Sequence, residues 1–159
     1  MSKQNFDKAI KLVKKCEDFD KGGKKSPKII EKAEQLLGLK FSEQESEYLS
    51  KFGYIEFSGV ELYGILNEDF EDDGEYEGCM VEWTLHEREE GNIPEDWIAL
   101  QFADDGGMIF LDHSDIDENG EPKVILAEDT GTGYKKTDLI ADDFGNFLLG
   151  VVEEQLEEQ

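Results

Sequence analysis

The sequence predicts an α+β domain, a mostly antiparallel sheet of about five strands with helices packed on one face. Three observations predict it. Residues 26–53 carry two sets of helix start and stop signals, the hydrophobic period then falls towards two in five short segments, and helical spacing returns at residues 80–89 and 144–152.

In the opening NFDKAIKLVKKCEDF, Phe6, Ile10 and Val13 stand at i, i+4 and i+7 with lysines on the other faces, the stripe of a short amphipathic helix. Whether it docks on its own domain, on another copy or on a partner is left open by the stripe alone. The following DKGGKKSP combines a glycine pair, like charges and a proline, which is a linker composition. Ser26 can then cap a helix with Pro27 at its first position, Ile30, Ala33 and Leu37 on its apolar face, and Gly38 as its stop. After a tight turn at residues 39–41, Ser42 and Glu45 form a capping box, Tyr48, Leu49 and Phe52 a buried stripe, and Gly53 a left-handed end.

YIEF, VELYGIL, WIALQFA, MIFLDH and PKVILAE read as strands, each bounded by Gly, Asp, Asn or Pro. Within MVEWTLHERE, Val81, Leu85 and Arg88 share a helical face. The closing segment offers Asp142 or Asp143 as cap and Phe144, Phe147, Leu148 and Val151 at helical spacing, while its EEQLEEQ tail is expected to fray. The expected division is an N-terminal helix and linker over residues 1–25, an α+β domain over residues 26–152, and an acidic tail over residues 153–159.

A length of 159 residues with 38% hydrophobic side chains suffices for one core and leaves no room for two ordinary domains. Sixteen Lys and Arg against 40 Asp and Glu give a net charge of −24, unevenly spread. Residues 1–51 hold 12 bases against 9 acids, a net of +3, and residues 52–159 hold 4 against 31, a net of −27. Such a body repels phosphate backbones, which argues against nucleic-acid binding, and attracts a basic partner. The longest uncharged stretch, residues 144–152, is nine residues, far short of a membrane span of roughly 20. Residues 1–19 contain no unbroken apolar run followed by a small-residue cleavage site, and Cys16 and Cys79 lack CxxC spacing. A cytoplasmic location is expected.

Four segments invite a chemical reading. DIDENG, residues 115–120, matches the opening of a calcium loop, but Leu126 stands where the closing bidentate Glu belongs, so a hairpin turn at Asn119-Gly120 is expected instead. His113, Ser114 and Asp115 are the residue types of a hydrolase triad, yet consecutive strand residues face opposite ways. His86 has Glu82 and Glu90 on its helical face and no HExxH spacing. TGTG at residues 130–133 lacks the GK[ST] of a phosphate loop and reads as a turn. No catalytic residue, metal site or cofactor is expected.

The acidic run Glu68, Asp69, Glu71, Asp72, Asp73, Glu75 and Glu77 has two readings. It is a solvated loop, or, because Phe70 and Tyr76 interleave the charges, an interface with aromatic anchors and a steering rim. Either ring could also tuck back into the core.

In order and spacing, IIEKAEQLLGLKFSEQESEYLSKFG, SGVELYGI, PEDWIALQFADDGGMIFLD, GEPKVI and IADDFGNFLLG resemble the SUKH superfamily over about residues 26–152. The matching steps include Leu37-Gly38, Tyr48-Leu49, Leu62-Tyr63-Gly64, Asp105-Gly106-Gly107 and Asp142-Asp143-Phe144. Phe41 stands where a Leu-Pro step is common, and residues 1–25 have no counterpart. The superfamily includes bacterial immunity proteins and yeast cell-wall-assembly regulators. The resemblance implies a non-enzymatic binding protein, first an immunity protein that occludes a basic, nuclease-type toxin domain, with a regulatory scaffold module as the alternative. The expected contacts are the acidic loop with Phe70 and Tyr76, together with Asp104 and Asp105.

Overall fold

The computed structural model describes residues 2–16, 18–70, 77–103 and 106–157. Within them the chain runs α1 (Ser2–Val13), β1 (Asp20–Lys21), α2 (Pro27–Leu37), α3 (Glu43–Phe52), β2 (Ile55–Phe57), β3 (Val60–Leu62) and α4 (Met80–Glu89). It continues through β4 (Trp97–Phe102), β5 (Gly107–Ile116), β6 (Pro122–Asp129), β7 (Tyr134–Ala141) and α5 (Phe144–Glu157). The α+β class holds. The single five-stranded sheet does not, because the strands form two antiparallel sheets, β1-β2-β3 and β4-β5-β6-β7.

The helix ends follow local chemistry. Ser26 Oγ accepts the Ile29 amide at 3.3 Å, and Gly38 closes α2 at φ +69°. Ser42 and Glu45 exchange side-chain and backbone bonds of 3.1 and 3.0 Å, the reciprocal box that satisfies two amides of the first turn of α3. Asp143 accepts the Asn146 amide at 2.8 Å and caps α5, which runs on through residues 153–157 instead of fraying after residue 152. Helix α4 has no side-chain cap at Cys79. Tertiary bonds hold it: Thr84 Oγ1 accepts the Ala99 amide at 3.0 Å, and Arg88 donates to the Leu37 carbonyl at 2.6 Å. The first of these also occupies the outer edge of β4.

Two strands were not visible in the pattern. β1 lies inside the linker-like DKGGKKSP and pairs with β2 through Asp20↔Glu56 and Lys21↔Ile55. β7 carries Lys135, Lys136, Thr137 and Asp138 on an exposed edge, and its register against β6 shifts twice, which destroys the period of two. Bulges and lysines also protect such an edge from pairing with another chain.

Helices do not sit on one face only. Phe110 and Leu111 are consecutive, point to opposite faces of β5, and are both fully buried, so the central strands are covered on both sides. The Phe110 ring lies 5.0 Å from Trp97, 5.5 Å from Tyr134 and 5.8 Å from Trp83 on α4. Helix α1 packs along α5, with the Phe6 ring edge-on to Phe144 at 6.0 Å. Phe144 in turn meets Tyr48 of α3 at 5.0 Å. The two sheets meet where the Tyr63 amide donates to the Leu100 carbonyl at 2.7 Å, and the buried Tyr48 hydroxyl donates to the Tyr63 carbonyl at 2.9 Å. Among the described residues no helix is long and apolar enough to cross a membrane.

Candidate functional site

Of the expected contact residues, Glu68, Asp69, Phe70 and Glu77 are described, and Glu71, Asp72, Asp73, Glu75, Tyr76, Asp104 and Asp105 lie outside the described residues. Glu68 pairs with the buried Lys25 ammonium at 3.3 Å, so part of its charge is spent within the chain. The Asp69 amide donates to Asn67 Oδ1 at 3.0 Å and leaves its carboxylate exposed. Phe70, at φ +55°, packs against the core and has the Lys32 ammonium 5.6 Å from its ring centroid. Glu77 is exposed.

An exposed row of placed carboxylates lies on the small sheet. Ser58 and Gly59, at φ +49° and +83°, form the two-residue turn that joins β2 to β3 and sets Glu56 directly opposite Glu61. β1 then sets Asp20 opposite Glu56. Three acids therefore form one row across three strands, on the side away from the buried Ile55, Phe57 and Leu62. Tyr54, two residues before Glu56, shares that face. Burial, then the charges of Asp20, Glu56 and Glu61, push its phenol up. Burial and the charges of Glu56 and Glu77 likewise push the Glu61 carboxyl above its ordinary value. At the hairpin end a cleft of about 170 Å³ is lined by Asp18, Glu56, Ser58, Gly59 and Glu61, with Phe57 and Val60.

Like charges placed directly opposite each other on a sheet destabilise it by about 0.2–1 kcal/mol per pair. This row is thus a cost to the fold. The Glu56-Glu61 half was legible in FSGV, whose Ser-Gly step between two short apolar runs signals a tight hairpin and so dictates the pairing. Asp20 carried no such signal.

An open depression of about 500 Å³ beside Asn92, Thr130, Thr132 and Tyr134 has no His, Cys, Asp, Glu, Lys or Arg in its walls. The TGTG segment there is a turn, with Thr130 Oγ1 donating to the Gly133 carbonyl at 2.9 Å and the Gly131 amide to Asp129 at 2.9 Å. DIDENG is the expected hairpin turn, where Asp117 Oδ1 accepts the Asn119 and Glu121 amides at 2.8 and 3.0 Å. His113 and Ser114 part company, the first bonding Glu45 at 3.1 Å and the second Asp112 at 2.6 Å. No group of three His, Cys, Asp or Glu among the described residues is arranged to hold a metal ion.

A family model described as SUKH_6, SMI1-KNR4 cell-wall, matches residues 27–148, from the first residue of α2 into α5. The chain belongs to the SUKH superfamily. A search of the curated proteins finds no match. On this SUKH domain Glu56, Glu61 and the acidic loop fall within the matched span, whereas Asp20, all of α1 and the last residues of α5 fall outside it. The SUKH core is therefore extended at both ends by helices that pack against each other, and its acidic row is completed by a strand from the N-terminal extension.

Proposed function

We propose that this SUKH protein is a non-enzymatic cytoplasmic binding protein that neutralises a basic, nuclease-type toxin domain by occluding it. The observation that carries this reading is the row Asp20, Glu56 and Glu61, which the fold holds at its own expense on an exposed face beside Tyr54. A nuclease presents Lys and Arg to phosphates. A surface that concentrates carboxylates imitates that field, speeds encounter and fixes the register of docking. Glu77, at the end of the acidic run, adds to this field, since its charge is felt at Glu61.

A neighbouring gene for a basic toxin domain is expected, and co-expression with that domain should protect cells and yield a complex that copurifies. Absence of both protection and complex overturns the proposal. The cell-wall description of the matching family favours a second reading, a regulatory scaffold module, in which partners bind and no toxin is neutralised. Protection on co-expression separates the two.

The row makes a quantitative prediction as well. Replacing Glu56 and Glu61 together by Gln removes both opposed pairs and is expected to stabilise the free protein by about 0.4–2 kcal/mol and to slow association with the basic partner about tenfold or more at low salt. Urea melting and stopped-flow binding would check it. A double variant that is less stable and binds as fast as the parent would show that the row serves the fold and not a partner.

A further inference from the structure

Away from the acidic sheet, four ionisable side chains from distant parts of the sequence meet inside the protein. Glu45, in the first turn of α3, is 1% exposed, Glu121, before β6, is 2% exposed, and Asp143, before α5, is 2% exposed. The His113 side chain, on β5, is 4% exposed and its Nε2 lies 3.1 Å from the Glu45 carboxylate. Glu121 Oε2 accepts the Gln44 amide at 3.3 Å, and Gln44 Oε1 accepts the Gly145 amide at 2.7 Å, so one turn of α3 ties the β5–β6 hairpin to the start of α5. Glu121 Oε1 is enclosed and meets no donor among the described residues. An ionised carboxylate pays a desolvation penalty for a bare buried oxygen, which a bound proton relieves.

We propose that Glu45, His113 and Glu121 form a proton-operated latch, closed when His113 and Glu121 hold their protons and loosened as pH rises and both protons leave. Among the described residues, the charges that act on the pair are acids, Glu45 from α3, Asp112 beside His113 on β5 and Asp143 at the start of α5, while the base Lys123 stands opposite Asp112 on β6. Closed, the imidazolium offsets one carboxylate and Glu121 is neutral. Open, the imidazole no longer offsets Glu45 and Glu121 adds a negative charge of its own, so the net charge of the joint falls by two.

The electrostatic surroundings of the two groups act in the same sense. Burial alone would push the His113 imidazole down, but the bond and charge of Glu45, with Asp112 and Glu121 behind it, outweigh burial and hold it above its ordinary value. Burial pushes the Glu121 carboxyl up, against the bonds from Ser42 and Gln44, and Glu45 and Asp143 add to the rise. A group whose folded value is raised contributes stability that is complete below its unfolded value and lost as pH climbs through the folded one. Both groups therefore weaken the joint as pH rises.

The test is amide exchange and thermal melting from about pH 5 to about pH 9, with NMR titration of His113. In the parent, His113 should titrate above the ordinary histidine value, protection at the Gln44 and Gly145 amides should fall with pH while that of Leu111 and Val124 persists, and the melting midpoint should drop. Each linked proton changes the folding constant about tenfold per pH unit within its window. Glu121→Gln keeps the shape and should remove part of that slope, and Glu45→Gln should bring the His113 titration down. Titration of His113 at or below its ordinary value in the parent overturns the latch, as does a pH slope unchanged in both variants or protection lost uniformly across the core.

Discussion

Gly64→Ala is expected to destabilise the protein by about 3 kcal/mol or more and to lower its thermal midpoint by roughly 6–12 °C. A Cβ at Gly64 would stand 1.9 Å from the Gly53 carbonyl oxygen, 2.9 Å from its carbon and 2.9 Å from Tyr54 Cβ. The first two obstacles are backbone, so no rotamer change relieves them. Nor can the backbone retreat easily. The Gly64 amide donates to the Gly78 carbonyl at 3.2 Å, its carbonyl accepts the Met80 amide at 2.9 Å, and the neighbouring Ile65 amide donates to the Gly53 carbonyl at 2.9 Å. Three passages of chain are locked at this point: the end of α3, the exit of β3 and the entry to α4. Gly150→Ala is the control. Gly150 is exposed on α5 with no atom within 4 Å of its added Cβ, so alanine should stabilise the helix there by about 0.5–1 kcal/mol. Circular dichroism melts of both variants settle the matter. A Gly64→Ala midpoint within about 2 °C of the parent would mean that the close approach is not sustained in solution.

The second large loss is expected from Phe144→Ala, at about 3–5 kcal/mol. Phe144 is fully buried and its ring is the meeting point of three helices, 5.0 Å from Tyr48 on α3 and 6.0 Å from Phe6 on α1. Truncation leaves a cavity lined by two rings that cannot close together without moving a helix. Because Phe6 and Phe144 share an edge-on contact, the double variant should cost less than the sum of the singles, with a coupling of about 0.5–1.5 kcal/mol. Urea unfolding of the two single variants and the double measures it. A loss below about 1 kcal/mol for Phe144→Ala would show that α1 is not seated on this ring. Helix α1 belongs to the same N-terminal extension that supplies Asp20 to the acidic row.

All five helices among the described residues were legible, and the ends of α2 and α3 most sharply, because their signals act within one turn. The Ser26-Pro27 start, the Gly38 stop and the Ser42-Glu45 box require only atoms three or four residues apart, and each forms as read. The strands were legible as segments but not as sheets. Five were recognised by alternation, while β1 is too short to alternate and β7 is interrupted by its two register shifts. The aromatics of the acidic loop could be named but not placed, since Phe70 turns inward to the core at a positive φ that nothing in the neighbouring residues dictates.

For the candidate site the division is sharper. Composition alone established that the body of this chain carries excess negative charge. Which of those carboxylates stand together was decided by pairing between strands: Asp20 and Glu56 are joined by β1-β2 register, and Glu45 meets His113 across 68 residues of sequence. Local bonds are written in the order of residues because their partners are neighbours in the chain. Contacts that depend on which strand lies beside which are chosen only when the whole core closes, by burial summed over all of its segments.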